Sequence, residues 1–160
     1  MRIKLSYVVF IWIILLACSN DDLSGNSAPN NPPVTDASVT EVAISGEALN
    51  YQFAVTIASP DTGCDQYADW WEVVSGTGEL LYRRVLLHSH VGEQPFTRSG
   101  GPVAIQANQT VWVRVHMNNT GYSTHALRGT VADGFVVTEA PNDFAQELQQ
   151  QAPLPNGCNF

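Results

Sequence analysis

Two histidines separated by a single residue, His88 and His90, have a spacing that suits a shared metal ion. Residues two apart on a β-strand point to the same side, with Cα atoms about 6.5–7 Å apart, so both imidazoles can reach one ion. The third ligand would have to come from a neighbouring strand, and His116 is the candidate. Because imidazole suits zinc and copper, the pattern predicts a Zn or Cu site. The alternative is that these are ordinary polar residues at strand ends.

A second candidate is an aromatic and charged surface across three neighbouring strands. Along residues 110–118, valines alternate strictly with Trp112, Arg114 and His116, which assigns these three side chains to the face away from the core. The same alternation on the adjacent strands completes the predicted outward set: Trp70, Glu72, Tyr82, Arg84, Trp112 and Arg114. Such a face suits a sugar ring or a protein partner. It can equally be an Arg–Glu–Arg ladder that only stabilises the sheet.

Motifs for catalysis are absent from the sequence. There is no Gly-x-Ser-x-Gly, no His-Glu-x-x-His and no phosphate-binding glycine loop. Asp61, Asp65 and Asp69 lack the alternate-residue spacing of an EF-hand loop, so we expect a solvated acidic loop there. A glycoside hydrolase would need a second carboxylate to act with Glu72, and the sequence does not identify one. These observations favour a binding protein over an enzyme.

Short strands are the elements that must position these side chains. Apolar residues alternate with polar ones over residues 49–57, and further strands are predicted over residues 39–44, 67–74, 79–90, 103–105, 110–118 and 127–138. Seven or eight such strands with turns between them predict an all-β, antiparallel β-sandwich. Phe144 and Leu148, four residues apart within 141–151, predict a short C-terminal helix packed on the sandwich.

The predicted strand order resembles immunoglobulin and fibronectin type III domains in two places. A Trp-bearing third strand, 68–74, continues through a hairpin into the next strand, and 111–121 resembles the penultimate strand with its following loop. The resemblance extends over about residues 37–138. It implies a sandwich architecture and no particular activity, and the paired core cysteines of antibody domains are missing.

At the N-terminus, a short basic region is followed by an apolar run that ends in Leu15-Leu16-Ala17-Cys18. The order of parts is that of a secretory signal, and the run is short for a membrane span. The final four residues resemble the lipobox of bacterial lipoproteins. That resemblance implies a signal peptide at residues 1–17, removed by cleavage, and a lipid on Cys18. The alternative is an uncleaved membrane helix.

The residues directly after Cys18 bear on location. In lipoproteins of Gram-negative bacteria, Asp at this position favours the inner membrane, whereas this chain has Ser19. Attachment to the outer membrane is therefore expected. Asp21 and Asp22 resemble the short acidic signals of some surface lipoproteins, and the choice between the periplasmic and surface sides stays open. Residues 18–36, rich in Ser, Asn, Asp and Pro, are predicted to be a flexible tether before a domain at 37–160.

The charge of the chain after cleavage is strongly acidic. From Cys18 onward there are five arginines and no lysine against fifteen Asp and Glu, a formal charge of −10. Such a surface should repel nucleic acid and anionic lipid headgroups, so the lipid on Cys18 would supply the membrane attachment. The expected partners are a carbohydrate or another cell-envelope protein.

With Cys18 lipidated, two cysteines remain. Cys64 and Cys158 lie in an exported chain, where two thiols usually pair, so we predict a disulfide. In the chain-entropy model, closing so long a loop contributes up to about 4–5 kcal/mol. The alternative, thiol redox chemistry, lacks a Cys-x-x-Cys motif.

Overall fold

Alternating apolar residues form nine β-strands in the computed structural model, which describes residues 34–159. In chain order these are β1 (Ser38–Glu47), β2 (Asn50–Ala58), β3 (Ala68–Ser75), β4 (Leu80–Val85), β5 (Phe96–Val103), β6 (Val111–Met117), β7 (Gly121–Tyr122), β8 (His125–Thr130) and β9 (Gly134–Glu139). One 3-10 helix, Gln146–Gln150, follows them. None of the described helical residues forms a helix long and apolar enough to cross a membrane.

The strands pair into two antiparallel sheets. The small sheet has the order β1-β2-β5, and the large sheet has the order β4-β3-β6-β8-β9, with β7 paired to β6. The predicted all-β, two-sheet antiparallel fold is confirmed, and the Trp-bearing β3 does run through a hairpin into β4. Strand 79–90 is shorter than predicted and ends at Val85, while 127–138 divides into β8 and β9.

The main core lies between the two sheets and follows the alternation in the sequence. Phe53, Val55 and Ile57 of β2 point inward, opposite the valines of β6 and the Trp71 and Val73 side chains of β3. All of these side chains are buried. Burying each large apolar side chain contributes about 1.5–3 kcal/mol, so this layer supplies most of the hydrophobic stabilisation.

A second, smaller core lies on the other face of the large sheet, beneath residues 140–153, called here the C-terminal cover. Trp112 of β6 and Leu148 of the cover belong to this cluster, and the Trp112 and Phe144 rings lie 5.1 Å apart. The predicted short helix is reduced to one 3-10 turn. It begins after Ala145, whose left-handed backbone (φ 49°) sets the direction of the turn.

Strand β4 faces the opposite way from the prediction. Arg83 lies opposite Glu72, while Tyr82 and Arg84 lie opposite the inward-facing Val73 and Trp71. Tyr82 therefore packs against the Trp71 ring at 5.5 Å rather than pointing outward. In the sequence Leu-Leu-Tyr-Arg-Arg-Val, either set of alternate residues could face the core, because both sets mix apolar and polar side chains. A register shift near the start of β4 also prevents the inward-facing set from being inferred by pairing with β3.

The predicted disulfide is present: Cys64 and Cys158 are bonded, with their Cα atoms 5.7 Å apart. It joins the loop before β3 to the end of the described chain. The predicted signal peptide, 1–17, and all but the last three residues of the predicted tether, 18–36, lie outside the described residues. Lipid attachment at Cys18 stays a prediction.

Candidate functional site

The predicted aromatic and charged face is not an exposed surface. Trp70 and Trp112 are only 3% and 7% exposed, and Glu72 and Arg114 are buried as well. The alternation on β3 and β6 was assigned correctly, but the expectation of solvent on this side was wrong. The C-terminal cover forms a third layer over these strands, which period-2 alternation cannot reveal because a covered outer face keeps the same pattern.

Glu72 lies at the centre of this covered face, between two guanidinium groups. Its Oε1 accepts a hydrogen bond of 2.8 Å from Nε of Arg114, and its Oε2 accepts one of 2.8 Å from Nε of Arg83. Both ion pairs are closed to solvent. The predicted Arg–Glu–Arg ladder therefore exists, with Arg83 in the position that had been assigned to Arg84.

The remaining donors of the two arginines hold the C-terminal cover. Arg114 donates to the carbonyl oxygens of Phe144 and Ala145 at 2.8 and 2.9 Å. Arg83 donates to the carbonyl of Leu148 at 2.7 Å and also to those of Gln151 and Pro153. Buried carbonyl groups need such partners, and the cover has few backbone bonds of its own. The cluster of Glu72, Arg83 and Arg114 therefore holds the C-terminal cover on the large sheet.

Next to this cluster, His116 is held by an acid and an aromatic ring. Its Nδ1 donates to Oδ1 of Asp69 at 2.7 Å, and the imidazole stacks on Trp70 with ring centres 3.6 Å apart. Burial raises the pKa of the Asp69 carboxyl above its ordinary value, and the hydrogen bond from His116 opposes that rise. The contacts of His116 are those of a core histidine.

The three predicted metal ligands are not brought together. His88 is exposed, and its backbone forms an isolated β-bridge with Asn159. His90 is buried against Phe96. His116 lies on the opposite face of the large sheet, next to Trp70. Within residues 34–159, no group of three His, Cys, Asp or Glu side chains is placed to hold a metal ion. A site of this kind requires a strand through His90, whereas β4 ends at Val85.

The acidic loop also differs from the expectation of a solvated segment. Asp65 is exposed, but Asp61 and Asp69 are buried and separately engaged. Asp61 accepts hydrogen bonds from the Ser59 hydroxyl and from the backbone N–H groups of Ala68 and His90, at 2.7, 3.0 and 2.8 Å. These hydrogen bonds show that the Asp61 carboxylate has a structural role in holding the loops around it.

An open cleft of about 220 Å³ lies where the edge strands β4 and β5 of the two sheets come together. We call it the β4–β5 cleft. It is lined by Arg84, Val85, Leu86, Leu87, His88, His90 and Arg98. Arg84 lies opposite the inward-facing Trp71 and Arg98 opposite the inward-facing Val55, so both arginines project toward the gap between the sheets.

The charges in the cleft differ in how they are compensated. Arg98 donates two hydrogen bonds to the Glu93 carboxylate, at 3.1 and 2.7 Å, and these hold the pKa of Glu93 below its ordinary value. The side chain of Arg84 makes no hydrogen bond or ion pair with any residue between 34 and 159 and is exposed. Burial, reinforced by nearby Arg98, lowers the pKa of His90, so its ring is neutral at pH 7.

A larger cavity of about 540 Å³ lies beside the start of β1, lined by residues 34–40 with His125 and Val137. Its walls include no arginine and no converging set of charged groups. Size alone therefore does not make it the better candidate, and the β4–β5 cleft differs from it in being lined by an arginine without an ion pair among residues 34–159. The sequence pattern assigns Arg84 to the wrong face of its strand and does not indicate Arg98. Alternation identifies neither the edge strands of a sheet nor the contact between β4 and β5.

Comparison with known proteins gives one informative similarity. The chain is 39% identical over 93 residues to a protein of Halomicrobium mukohataei named “Putative lipoprotein”. The similar region is 58% of this chain and 46% of that protein, so the chain spans about half the length of the relative it matches. No family model matches, and no solved structure matches. The similarity and the β-sandwich fold together fit an exported, membrane-anchored envelope module.

Proposed function

We propose that this protein is an exported, lipid-anchored β-sandwich module that binds a carbohydrate or another cell-envelope protein at the β4–β5 cleft. The observation that carries the proposal is the position of Arg84, which lines the cleft without a side-chain partner among residues 34–159. Binding sites are concave and contain a few placed polar groups, and this cleft has both properties. We place the binding site in this cleft and not on the outer face of the large sheet, because the aromatic rings of that face are covered.

The charge of the rest of the domain narrows the choice of partner. Residues 34–159 contain thirteen Asp and Glu against five arginines and no lysine. A strongly acidic surface disfavours nucleic acid and anionic membranes as partners. Arg83 and Arg114 are paired with Glu72, and Arg98 is paired with Glu93, so Arg84 and Arg128 are the arginines without an ion pair among residues 34–159. Of these two, Arg84 lines the cleft.

The binding test is capture of envelope components by the full-length lipoprotein and its Arg84→Gln variant. We expect the variant to lose most of the captured material, because the uncompensated guanidinium is removed while the fold is untouched. Arg128→Gln is the matched control, since Arg128 is also exposed but lies over the Trp112 ring, away from the cleft. Equal capture by all three proteins would show that the binding surface lies elsewhere.

Anchoring is tested separately at Cys18. The Cys18→Ala chain should take up no radioactive fatty acid and should stay unprocessed or be released as a soluble protein. Fractionation of the wild type should place it in the outer membrane. Undiminished labelling of the variant would contradict the lipoprotein assignment.

The metal-binding alternative predicted His88, His90 and His116 as ligands for zinc or copper, and the separation of the three side chains disfavours it. It has a direct test of its own. Elemental analysis of the protein purified without chelators would detect a stoichiometric metal. A full equivalent of zinc or copper, lost when His88 is replaced by Ala, would favour this alternative over the binding module.

A further inference from the structure

We infer that the β4–β5 cleft is a carboxylate site and that its ligand is an acidic sugar, bound through the guanidinium of Arg84. This inference rests on the proposed binding function and specifies the ligand class of the same site. Four features of the cleft bear on this inference: the concentration of its charged side chains, the positive charge left unpaired, the pairing of the chain edge beside it, and its size.

Positive and imidazole side chains are concentrated in the cleft. Two of the five arginines and two of the four histidines of residues 34–159 line it, although the domain as a whole is acidic. The planar guanidinium of Arg84 presents two parallel N–H groups, a geometry that matches the two oxygens of a carboxylate. Within the described residues no acceptor meets these donors, so an anionic ligand can satisfy them.

The balance of charge indicates a singly charged group. Arg98 is already paired with Glu93, which leaves Arg84 as the arginine of the cleft without an ion pair among residues 34–159. A carboxylate matches that single charge. A phosphate dianion or a polyanion would bring excess negative charge to a domain that already repels it.

The chain directly after β4 is closed to an added peptide strand, whereas β4 and β5 are themselves edge strands, so the preference for a compact ligand rests on the size of the cleft. Peptides commonly bind by adding a strand to a free sheet edge. Directly after β4, however, the N–H of Asn159 donates to the carbonyl of Leu87 at 2.7 Å, and His88 bridges to Asn159 as well. The C-terminal segment therefore already occupies that part of the edge.

The dimensions of the cleft favour a compact ligand. Its volume of about 220 Å³ is below the range of roughly 300–1,000 Å³ usual for drug-sized ligands, so it suits one sugar ring. The imidazoles of His88 and His90 and the guanidinium of Arg98 lie around the Arg84 position and can serve the hydroxyl groups of such a ring.

The test is calorimetric titration of the detergent-solubilised full-length lipoprotein with four probes: glucuronate, glucose, inorganic phosphate and a short glutamate-containing peptide. We expect glucuronate to bind and glucose to bind at least about tenfold more weakly, because it lacks the carboxylate. Arg84→Gln should weaken glucuronate binding about 10- to 100-fold, the usual effect of losing a hydrogen bond to a charged group. Arg84→Lys should recover only part of it, because the fork geometry is absent. Arg128→Gln should bind as the wild type does.

The other outcomes separate this inference from the proposed function. Tighter binding of phosphate would overturn the carboxylate assignment, and tighter binding of the peptide would overturn the sugar. If none of the four probes binds while Arg84-dependent capture of envelope material persists, the ligand class is wrong and the binding module stands. If capture is also independent of Arg84, both are wrong. Melting temperatures of the Arg84 variants should equal that of the wild type, which separates lost binding from misfolding.

Discussion

Glu72 and Arg114 lie opposite each other on β3 and β6, and Nε of Arg114 donates a 2.8 Å hydrogen bond to Oε1 of Glu72 in a region closed to solvent. Arg83 approaches the other carboxylate oxygen. Two buried guanidinium groups thus depend on one acid for compensation. Removing one partner of a buried pair is strongly destabilising because it leaves an uncompensated charge behind.

Replacing Glu72 with Gln should therefore lower the free energy of unfolding by roughly 3–5 kcal/mol. Urea denaturation followed by tryptophan fluorescence measures this change. Glu79→Gln, in the exposed turn after β3, is the control and should lie within about 0.5 kcal/mol of the wild type. Equal stability of the two variants would show that the Arg–Glu–Arg cluster does not hold the fold.

Replacing Trp112 with Ala should also be costly, although the alternation predicts an exposed side chain there. The ring packs beneath the C-terminal cover against Phe144, so its loss leaves a cavity in the second core and should cost roughly 3–5 kcal/mol. Thermal denaturation is the measurement. Val136→Ala, at a truly exposed apolar side chain of β9, should leave the melting temperature almost unchanged. A Trp112→Ala protein as stable as this control would mean that the cover does not pack on β6.

Breaking the Cys64–Cys158 bridge should lower stability by about 2–5 kcal/mol, as is typical for native disulfides. The double substitution by Ser, compared with the oxidised wild type in urea, measures it. Because the bridge fixes the end of the C-terminal segment, the variant should also be cleaved faster by protease within residues 153–159. Two free thiols in the oxidised protein, detected by mass spectrometry, would contradict the pairing.

Acidification should destabilise the protein through His90. Its pKa is lowered in the folded state, so between that value and about 6.5 the unfolded chain binds more protons, and the free energy of unfolding falls as the pH falls. His90→Phe keeps a ring against Phe96 and removes the titrating group. Between about pH 7.5 and 5.5 its melting temperature should drop less than that of the wild type.

The exposed His125 provides the control for that pH experiment. His125→Gln should retain the full wild-type drop in melting temperature across the same range. A His90→Phe protein that loses as much stability on acidification as the wild type would show that another group is responsible.

The sandwich core was predictable because the alternation of apolar and polar residues along each strand shows which side chains face inward. Val111, Val113 and Val115 alternate without interruption, as do Phe53, Val55 and Ile57, so the burial of each strand's inner face follows from period 2. The disulfide was predictable for a different reason, since the predicted lipidation of Cys18 would leave only two cysteines to pair.

The candidate site was predicted less well, because it depends on relations between elements. Alternation gives a strand two faces but does not say which face a distant segment covers, and residues 144–151 lie far along the chain from Trp70. Adjacent Arg83 and Arg84 are equivalent in the sequence until Glu72 selects one of them. The contact between β4 and β5, which brings Arg84 near Arg98, joins strands of different sheets and leaves no local pattern.

The C-terminal cover has a consequence for the order in which the fold can be completed. The ribosome makes the chain from its N-terminus, so residues 68–139 of the large sheet are synthesised before residues 144–153. Until those last residues are available, Trp70 and Trp112 remain uncovered, and Arg83 and Arg114 lack the carbonyl acceptors that they finally bind. A domain whose C-terminal cover has not yet packed therefore exposes an aromatic surface, and chaperones that recognise exposed aromatic side chains can bind it until the final segment closes over it.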